Sequence, residues 1–386
     1  MTINNEHKKL NVPNLRFPEF QGEWEELGLS ELLDFKNGLN PKPDKFGKGI
    51  KFISVMDILN NAVITYDCIK ASVDVTEKEL SDFSVEKGDI LFQRSSETLE
   101  DVGRANVYMD DKTAVFGGFV IRGKKKGEYA PQYFNYLLRS PFARKRIIPM
   151  GAGAQHFNIG QEGLSKVKLH FANIEEQKKI GKMLSLLDER ISTQNKIIDK
   201  LQSLIKGIAQ HCIRELINGW EYVRLGDICK ITTGKLDANA QVENGQYPFF
   251  TCAERPFNID SYAFDTEALL ISGNGANLGY INYYKGKFNA YQRTYVLDHF
   301  SVNIQYVKWA LKVLLPQRIA IEKSSSNTPY IVLSTLADLK IPIPNNSKQN
   351  HIANLMRSFE RKLSTQLVLS DLYNKQKQYL LRQMFI

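Results

Sequence analysis

Apolar residues recur every three or four positions through the middle of the chain, a spacing that predicts one long helix. The steps alternate four and three without a break from Ile180 to Cys212, and Lys, Glu, Asp and Gln fill most positions between them. This alternation is the heptad pattern of a helix that packs along a partner helix. At about 1.5 Å per residue, a helix of about 38 residues would be about 57 Å long. The apolar seam consists of Ile180, Leu184, Leu187, Ile191, Gln194, Ile198, Leu201, Ile205, Ile208 and Cys212.

A second helix of the same kind is predicted at the end of the chain. The triplet Ser-Thr-Gln that ends at Gln194 recurs with its end at Gln366, and about fifty positions around the two triplets align without a gap. The second seam is less regular, but additional leucines widen its apolar face. We therefore expect two similar long helices, at residues 176–213 and 348–385, that pair with each other in antiparallel orientation. The alternative is that each helix packs only on its own domain.

The two glutamines of the repeated triplet occupy the same seam position, near the middle of each predicted helix. A polar side chain buried in a helix seam is costly unless it has a partner, and such residues often fix the register of a helix pair. An antiparallel pair with pseudo-twofold symmetry brings its two midpoints together. We therefore predict that Gln194 lies beside Gln366 and fixes the register of the pair. The alternative is that both side chains face solvent.

The segment before each predicted helix has the pattern of a mixed α and β domain. Both segments open on Trp-Glu with a Leu five positions after the Trp, beginning at Trp24 and Trp220. These two tryptophans lie further apart than Gln194 and Gln366 do, so the first segment is longer than the second. In each segment, β-branched and aromatic runs predict strands, a helix follows, and a loop and a strand close the segment. The predicted strands lie at 88–96, 113–123, 267–275 and 289–300, and the predicted helices at 131–147 and 302–315.

The same order of elements in both segments indicates two copies of one domain. A chain of 386 residues is also too long for a single core. We therefore predict an α+β protein with two similar globular blocks, held at opposite ends of two long antiparallel coiled-coil helices, as a pseudo-twofold internal repeat. The predicted regions are a first block at 1–165, a first long helix at 166–219, a second block at 220–335 and a second long helix at 336–386.

The positive charge of the chain is concentrated in the helix regions. Of the formal net charge of +9, residues 166–219 carry +4 and residues 336–386 carry +5, while both blocks are close to neutral. A basic total indicates nucleic acid only weakly, and near-neutral blocks would have to contact DNA through local patches. The four cysteines form no C-x-x-C pair, and no signal peptide or apolar run of about 18 residues occurs. We therefore expect a reduced, cytoplasmic protein that does not contact a membrane.

The sequence contains none of the motifs expected of a nucleic-acid enzyme. The run Ser-Gly-Asn-Gly-Ala-Asn follows a predicted strand, but an aromatic, β-branched stretch comes next instead of the helix that a dinucleotide site needs. No Walker phosphate loop or Asn/Asp-Pro-Pro-aromatic methyltransferase motif occurs, and the six histidines lack metal-ligand spacing. Glu176 and Lys178 resemble part of a nuclease motif, but their position on a helix predicts exposed side chains. We therefore predict no catalytic residue, no metal site and no cofactor.

Polar and basic stretches in or beside Gly-rich loops are the remaining candidates for a functional surface. Arg, Gln, Asn, Ser and Thr are the side chains that contact base edges and phosphates in protein–DNA complexes. The alternative is that the Lys and Arg runs are ordinary solvated surface. The predicted base-contacting residues are Arg94, Ser95, Arg104 and Asn106 in the first block, and Asn274, Asn277, Gln292, Arg293 and Asn327 in the second.

The doubled organisation as a whole resembles the specificity subunits of type I restriction–modification systems. No single motif is specific to that family, whereas the repeated order of block and helix is. The proline-rich entry that precedes the first helix in the family is missing here, although Ile-Pro-Ile-Pro precedes the second. The resemblance is carried by the opening Leu-Arg-Phe-Pro-Glu-Phe, the two Trp-Glu segments, the helix starts Ile-Glu-Glu-Gln-Lys-Lys-Ile and Asn-Ser-Lys-Gln-Asn-His-Ile, and Leu-Leu-Arg-Gln-Met-Phe near the end.

The resemblance implies that each block is a target recognition domain for one half of a bipartite site in double-stranded DNA. The two helices would set the spacer between the half-sites and bind two modification (methyltransferase) subunits, which supply S-adenosylmethionine and methylate adenine. Separate restriction subunits would supply ATP-dependent translocation and cleavage. The chain itself would be non-catalytic. Two other functions remain open: an enzyme that acts on nucleic acid by itself, and a helical scaffold that binds only proteins.

Overall fold

A computed structural model describes residues 10–215, 220–323 and 330–386 of the chain. The chain forms two compact units. The first unit comprises residues 1–195 and 369–386, and the second comprises residues 196–368. The division between the units falls inside the two long helices, so each unit contains one globular block together with part of each helix.

The block of the first unit consists of short strands and short helices, as its β-branched runs and frequent turn residues predict. Its elements, in chain order, are β1 (Glu25–Gly28), α1 (Leu29–Leu32), β2 (Leu33–Asn37), β3 (Phe46–Ile53), α2 (Val55–Asn60), β4 (Ser72–Val73), α3 (Glu77–Phe83), β5 (Ser84–Val85), β6 (Ile90–Gln93), β7 (Ser95–Ser96), β8 (Ala105–Val107), β9 (Ala114–Phe116), β10 (Val120–Lys125), α4 (Pro131–Arg139), α5 (Pro141–Ile147), β11 (Phe157–Asn158), α6 (Gln161–Ser165) and β12 (Lys168–Phe171).

Two four-stranded sheets form the centre of this block. One has the strand order β2-β10-β6-β8 and is antiparallel throughout, and the other has the order β4-β3-β9-β5 with β3 parallel to β9. The helix α4 packs on the first sheet, where Tyr133, Phe134 and Leu137 share a fully buried core with Phe92 and Ile121. Burial of each such side chain stabilises the fold by about 1.5–3 kcal/mol, so this core holds α4 firmly on the sheet.

The second unit repeats this organisation with a different sheet. Two long helices belong to both units, α7 (Ile174–Gln210) and α11 (Asn346–Gln383), and a π-helical turn (His211–Glu215) follows α7. The elements of the second block are β13 (Glu221–Arg224), α8 (Leu225–Ile228), β14 (Lys230–Thr233), β15 (Tyr247–Phe250), β16 (Phe257–Ile259), β17 (Phe264–Ser272), β18 (Ile281–Ala290), β19 (Thr294–Asp298), α9 (Ile304–Lys323), α10 (Leu333–Ala337) and β20 (Lys340–Ile343).

A common frame underlies both blocks. The second block has one six-stranded sheet, in the order β14-β19-β17-β18-β15-β16. Its first three strands correspond to β2-β10-β6 of the first block, and the two-stranded sheet β13-β20 corresponds to β1-β12. The helix α9 takes the place of α4, and Tyr306 is as fully buried in the second core as Tyr133 is in the first. The two blocks are therefore copies of one domain, which confirms the internal repeat.

Both long helices begin at the same kind of cap. The side chain of Asn173 accepts a hydrogen bond from the N–H of Glu176 (2.9 Å), and Asn345 does the same for Lys348 (3.0 Å). An Asn at this position satisfies one of the N–H groups that a helix leaves unpaired at its start, which stabilises the start by about 1 kcal/mol. The alignment that places Gln194 on Gln366 also places Asn173 on Asn345, so the cap is part of the repeat.

A buried glutamine one turn further along fastens each long helix to its block. Gln177 accepts a hydrogen bond from the N–H of Ala130, immediately before α4 (2.9 Å), and donates one to the carbonyl of Ala172 (2.8 Å). Gln349 makes the corresponding bonds in the second unit, at 2.9 and 2.8 Å, with the residue before α9 and a residue shortly before α11. Both glutamines are buried. Equivalent contacts therefore fix the orientation of α4 on α7 and that of α9 on α11.

The long helices run antiparallel, as the seams predict. In the first unit, Lys377 of α11 pairs with Asp188 of α7 (2.6 Å), and Ser370 of α11 donates to Asn195 of α7 (3.0 Å). The earlier α7 residue thus contacts the later α11 residue, as in an antiparallel pair. In the second unit, buried seam residues of the two helices share one core. That core includes Leu201, Ile205, Ala209 and Cys212 of α7 and the π-helical turn, together with Ile352 and Met356 of α11.

Four predicted elements are interrupted. The strands predicted at 88–96 and 289–300 are broken at Arg94, between β6 and β7, and at residues 291–293, between β18 and β19. The helix predicted at 131–147 is two helices, because Pro141 has no N–H to donate and holds Ser140 in an extended conformation (ψ 151°). The strand predicted at 113–123 is also divided, since β9 ends at Phe116 and β10 begins at Val120. The turn between these strands contains two glycines. The β-branched residues on both sides of them gave the whole run the pattern of a single strand.

The prediction that Glu176 is exposed is wrong. Its side chain is fully buried, and Arg16 binds both carboxylate oxygens, with Nε 2.8 Å from Oε1 and Nη2 2.7 Å from Oε2. The hydrogen bond with Glu176 raises the pKa of Arg16. Helix periodicity alone gave no sign of a partner 160 residues earlier in the sequence, and so it could not predict this buried ion pair.

Candidate nucleic-acid interface

Loops converge in the second block where β17 ends and β19 begins. The N–H of Gly273 donates to the carbonyl of Arg293 (2.8 Å), and the N–H of Ile331 donates to the carbonyl of Gly273 (2.8 Å). The side-chain amide of Asn277 donates to the carbonyl of Cys252 (3.1 Å). We call the segments held together here the second loop cluster, namely residues 235–237, 251–255, 273–279, 291–293 and 330.

The second loop cluster gathers four of the five base-contacting residues predicted in this block. Gln292 and Arg293 are exposed, whereas Asn274 and Asn277 are half-buried. The backbone of this loop is fixed, since the N–H of Gln292 donates to the carbonyl of residue 236 (2.9 Å). Exposed amide and guanidinium groups on a fixed backbone suit the recognition of base edges. Asn327, the fifth predicted residue, lies outside the described residues.

The first block builds an equivalent arrangement. The N–H of Arg94, after β6, donates to the carbonyl of Phe119 (2.9 Å), and the N–H of Ile159 donates to the carbonyl of Arg94 (2.9 Å). The hydroxyl of Ser95 donates to the side-chain oxygen of Asn158. We call these segments the first loop cluster, namely residues 38–41, 94–98, 117–119 and 152–159.

The backbone hydrogen bonds described above for the first cluster have counterparts in the second. Arg94 takes the place of Gly273, and Phe119 takes that of Arg293. Ile159 takes the place of Ile331, the residue on which the gap-free alignment of the two helix regions also places it. The exposed side chains nevertheless differ, because a phenylalanine stands in the first cluster where an arginine stands in the second. The scaffold is therefore shared, while the chemistry that it presents is particular to each block.

A matched glycine in or beside each cluster lets neighbouring segments approach closely. A Cβ atom added at Gly38 would lie 2.0 Å from the carbonyl oxygen of Gly117, and one added at Gly234 would lie 1.9 Å from that of Ala290. No side chain fits at such distances, so both positions require glycine. These two glycines end the aligned Trp-Glu segments of the sequence, which is a signal of the cluster that the sequence does contain.

The predicted residues of the first block are only partly brought together. Arg94 and Ser95 belong to the first loop cluster, and the guanidinium of Arg94 donates to the carbonyl of Gly118 (3.3 Å). Arg104 is exposed on an adjacent loop, where it pairs with Asp101 (2.5 Å). Asn106 lies on β8 instead, fully buried.

The burial of Asn106 removes it from any surface that could contact DNA. Its amide donates to the carbonyls of Ile58 (3.0 Å) and Asn61 (2.8 Å), and its oxygen accepts from the N–H of Val107 (2.9 Å). The side-chain nitrogen and oxygen of Asn106 thus both have hydrogen-bond partners within the protein, and these bonds hold the turn after α2. A polar residue in a strand run looks the same in sequence whether it faces solvent or holds a neighbouring loop.

Sequence reasoning missed two exposed aromatic residues in the clusters. The side chain of Phe119 is 68% exposed, and that of Tyr330 is 50% exposed. Phe119 was obscured because it lies within a run predicted to be one buried strand. Aromatic rings of this kind can contact a thymine methyl group or stack on a base, so they belong to the candidate interface.

The two seam glutamines differ in exposure. Gln194 is 5% exposed, whereas Gln366 is half-buried. Their proposed role in fixing the register of the helices stays a prediction.

Neither a cluster of metal ligands nor a membrane-spanning helix is found among the described residues. Within residues 10–215, 220–323 and 330–386, no three or more His, Cys, Asp or Glu side chains come together as metal ligands would. No helix in those ranges has the length and apolar character needed to span a membrane.

A protein-family model matches most of the chain. The model of the type I restriction modification DNA specificity domain matches twice, at residues 21–203 and 217–368. Each match covers one block together with much of a long helix. The doubled match agrees with the repeat seen in the structure.

Individual relatives carry related names. The EcoDI specificity subunit of Escherichia coli is 45% identical over 134 residues, which is 35% of this chain and 30% of that protein. The MjaIX specificity subunit of Methanocaldococcus jannaschii is 22% identical over 83% of both chains. The crystal structure of a type I restriction–modification S subunit from M. genitalium shares the fold, with a TM-score of 0.66 and 18% identity over 97% of this chain and 99% of that one.

Proposed function

Because this chain belongs to the family of type I restriction–modification DNA specificity domains and is a specificity subunit with two target recognition domains, we propose that each domain recognises one half of a bipartite site in double-stranded DNA. The first loop cluster would contact one half-site, and the second loop cluster the other. Partner subunits would then act at the site that the chain selects.

The observation that carries this proposal is the equivalence of the two loop clusters. Two equivalent backbone hydrogen bonds hold each cluster, yet the side chains at equivalent positions differ, as Phe119 and Arg293 show. A scaffold built twice from the same contacts, with different exposed groups, suits two half-sites of different sequence. A purely structural scaffold would have no need of exposed amide, guanidinium and aromatic groups at these positions.

The exposed groups suggest how each half-site is distinguished. A guanidinium such as that of Arg293 can donate two hydrogen bonds to guanine, and an amide such as that of Gln292 can bond to adenine in the major groove. The hydroxyl of Ser95 can donate or accept, and Phe119 can contact a thymine methyl group. Asn106 is buried and is not part of this proposed surface.

The long helices would set the spacing of the half-sites and bind two modification subunits. Both helices expose large apolar side chains that their seam does not use. In the second unit, Ile197 and Leu204 of α7 are 42% and 51% exposed, and in the first unit, Leu372 and Tyr379 of α11 are 54% and 58% exposed. Each pair has the heptad spacing, which places both members on one face of their helix. Exposed apolar faces of this kind are typical of protein-binding surfaces.

Chemistry would come from the partners. The modification subunits would methylate adenine with S-adenosylmethionine, and restriction subunits would cleave DNA with ATP. The chain itself would be non-catalytic and require no cofactor of its own.

Methylation mapping tests the proposed function. A host without adenine methylation of its own should acquire methylated adenines within a bipartite motif when it expresses this chain with its modification subunits. The modification subunits alone should leave no such motif, and the purified chain alone should transfer no methyl group to DNA. Methylation of the same motif without the chain, or methyl transfer by the chain alone, would contradict the proposal.

A further inference from the structure

Each unit contains a groove at the junction of its block helix and its long helices. The groove of the first unit has a volume of about 460 Å³, and that of the second about 500 Å³. Residues 377, 378 and 381 of α11 line the first, and residues 205, 206 and 209 of α7 line the second. These positions are equivalent in the alignment of the two helix regions, so the two grooves are copies of one feature. We call them the first and second junction grooves.

The block helix contributes the same pair of residue types to both grooves. Tyr136 and Arg139 of α4 line the first, and Trp309 and Lys312 of α9 line the second, an aromatic residue followed three positions later by a cation. The ammonium of Lys312 lies 4.4 Å from the centre of the Trp309 ring. The repetition of this pair in two blocks that differ in most other residues indicates a common role.

Positive charge exceeds negative charge in the first junction groove. Its lining includes four cations, Arg104, Arg139, Arg144 and Lys377, against one carboxylate, Glu100. Lys377 is paired with Asp188, and Arg104 with Asp101.

The other two guanidiniums of this groove bond to the backbone. Among the described residues, Arg139 and Arg144 donate only to backbone carbonyls, and the closest of these bonds run from Arg144 to Glu100 (2.8 Å) and Val102 (2.7 Å). The other terminal nitrogen of Arg144, Nη1, is buried and has no hydrogen-bond partner in the described part of the chain. Burial, together with the nearby Arg104, lowers the pKa of Arg144 to about 10. An anion bound in the groove would accept a hydrogen bond from this nitrogen and would reduce the repulsion between Arg144 and Arg104.

The second junction groove is lined by cations, and its described lining includes no carboxylate. Lys206, Arg214 and Lys312 line it. Lys206 is exposed, and Arg214 donates to the carbonyl of Val313 (3.2 Å), while its Nε is buried without a partner among the described residues. Lys312 shares the carboxylate of Glu360 with a second lysine, so it can turn to another anion without leaving Glu360 unpaired.

Both grooves adjoin the loop cluster of their own unit. In the first unit, the carbonyl of Arg104 accepts from the N–H of Gln93 (2.7 Å), the residue before Arg94 of the loop cluster. In the second unit, Ile319 of α9, one turn after Pro316 of the groove, lies against Gly279 of the loop cluster. A Cβ atom added at Gly279 would be only 2.6 Å from it. An extended polyanion that contacts a loop cluster could therefore continue to the groove beside it.

We propose that each junction groove binds a backbone phosphate of the DNA half-site that its own loop cluster recognises. This inference rests on the proposed function and adds to it the surface that positions the duplex independently of sequence. Guanidinium and ammonium groups are the usual ligands of DNA phosphates, and such contacts set the register of a protein on the duplex. An acidic surface of a partner protein is the competing occupant, and continuity with the loop clusters favours DNA.

Salt-dependent binding tests the assignment. The full chain, assembled with its modification subunits, is titrated with duplexes that contain or lack the methylation motif at several KCl concentrations. The double variant Lys206→Gln with Lys312→Gln should lose affinity by the same factor for both duplexes. The slope of log K against log salt should become shallower by about 0.9 for each phosphate that the variant no longer binds. Arg144→Gln should do the same through the first groove. The lysine variant keeps the test decisive if Arg144→Gln fails to fold, because Lys206 is exposed.

A matched control is the double variant Lys200→Gln with Lys362→Gln, which removes two exposed lysines outside the groove lining. The affinity of this control for both duplexes, and the slope of its log K against log salt, should stay close to those of the wild type. An unchanged slope in the groove variant would overturn the proposal, as would loss of affinity for the motif duplex alone. Loss of assembly with modification subunits, with DNA affinity of the assembled fraction intact, would assign the grooves to a protein partner. Wild-type complex that does not discriminate the motif would instead refute the proposed function itself.

Discussion

The two units fasten their blocks to the long helices through the same glutamine contacts but surround them with different charges. Gln177 and Gln349 make equivalent hydrogen bonds in the two units. The preceding position holds the buried Glu176, paired with Arg16, in the first unit and the exposed Lys348 in the second. The repeated residues therefore fix how each block lies on its long helix, whereas the charge at the preceding position is particular to each unit.

The same contrast holds for the loop clusters. Equivalent backbone hydrogen bonds fix both clusters, while Phe119 and Arg293 present unlike groups at equivalent places. Contacts that determine where a loop lies are thus duplicated, and groups that would determine which bases it contacts are not. This division allows one architecture to serve two half-sites.

The largest expected effect comes from the ion pair of the first unit, where the second unit has Lys348 instead. Arg16→Ala leaves the carboxylate of Glu176 buried and unpaired, and loss of one partner of a buried pair costs about 3–5 kcal/mol. Hydrogen-exchange mass spectrometry should show lower protection in peptides of the first unit and none of this change in the second. Adding Glu176→Gln to Arg16→Ala should recover part of the loss. Equal loss of protection in both units would contradict the comparison.

A smaller effect, equal in both units, is expected from the glutamine contacts. Gln177→Ala leaves the N–H of Ala130 and the carbonyl of Ala172 without their partner, at a cost of about 1–3 kcal/mol. Gln349→Ala should cost a similar amount through Asn303 and Pro344. Urea unfolding of the two single variants measures both. If only one variant were destabilised, the two contacts would not be equivalent in energy.

The most localised effect is expected at a single base pair of one half-site. Arg293→Ala should cost about 1–3 kcal/mol of DNA affinity at a single base pair of one half-site. Competition binding by the assembled complex, with duplexes substituted one base pair at a time, measures this discrimination. Ser95→Ala changes a polar group of the first loop cluster instead, and it should affect the other half-site only. A uniform loss across all duplexes would mean that Arg293 contacts a phosphate.

Much of this architecture was predictable because it depends on periodicity. The heptad seam from Ile180 to Cys212 and its later repeat around Gln366 predicted the paired helices within a few residues of α7 and α11. Core strands and the block helices followed from β-branched runs and proline positions. These features depend on local patterns, which one sequence displays directly.

The remainder depended on contacts between distant segments. The partner of Glu176 is 160 residues away, and the bonds of Asn106 reach back to the end of α2. Arg94, Ser95, Gln292 and Arg293 were predicted as polar positions in or beside Gly-rich loops, although within runs predicted to be strands, and the structure places them in the clusters. Phe119 could not be predicted as exposed, because an aromatic residue among β-branched neighbours has the pattern of a buried strand. Junction grooves likewise require the packing of α4 and α9 on the long helices.

Exchange of one block tests most directly the claim that each unit recognises its own half-site. Residues 220–335 are replaced by the second block of a family member with a known bipartite target, and the adenine methylation of the host is mapped with the modification subunits present. The half-site of the exchanged block should change to that of the donor, while the other half-site is retained. A motif that changes in both halves at once, or in neither, would contradict the account.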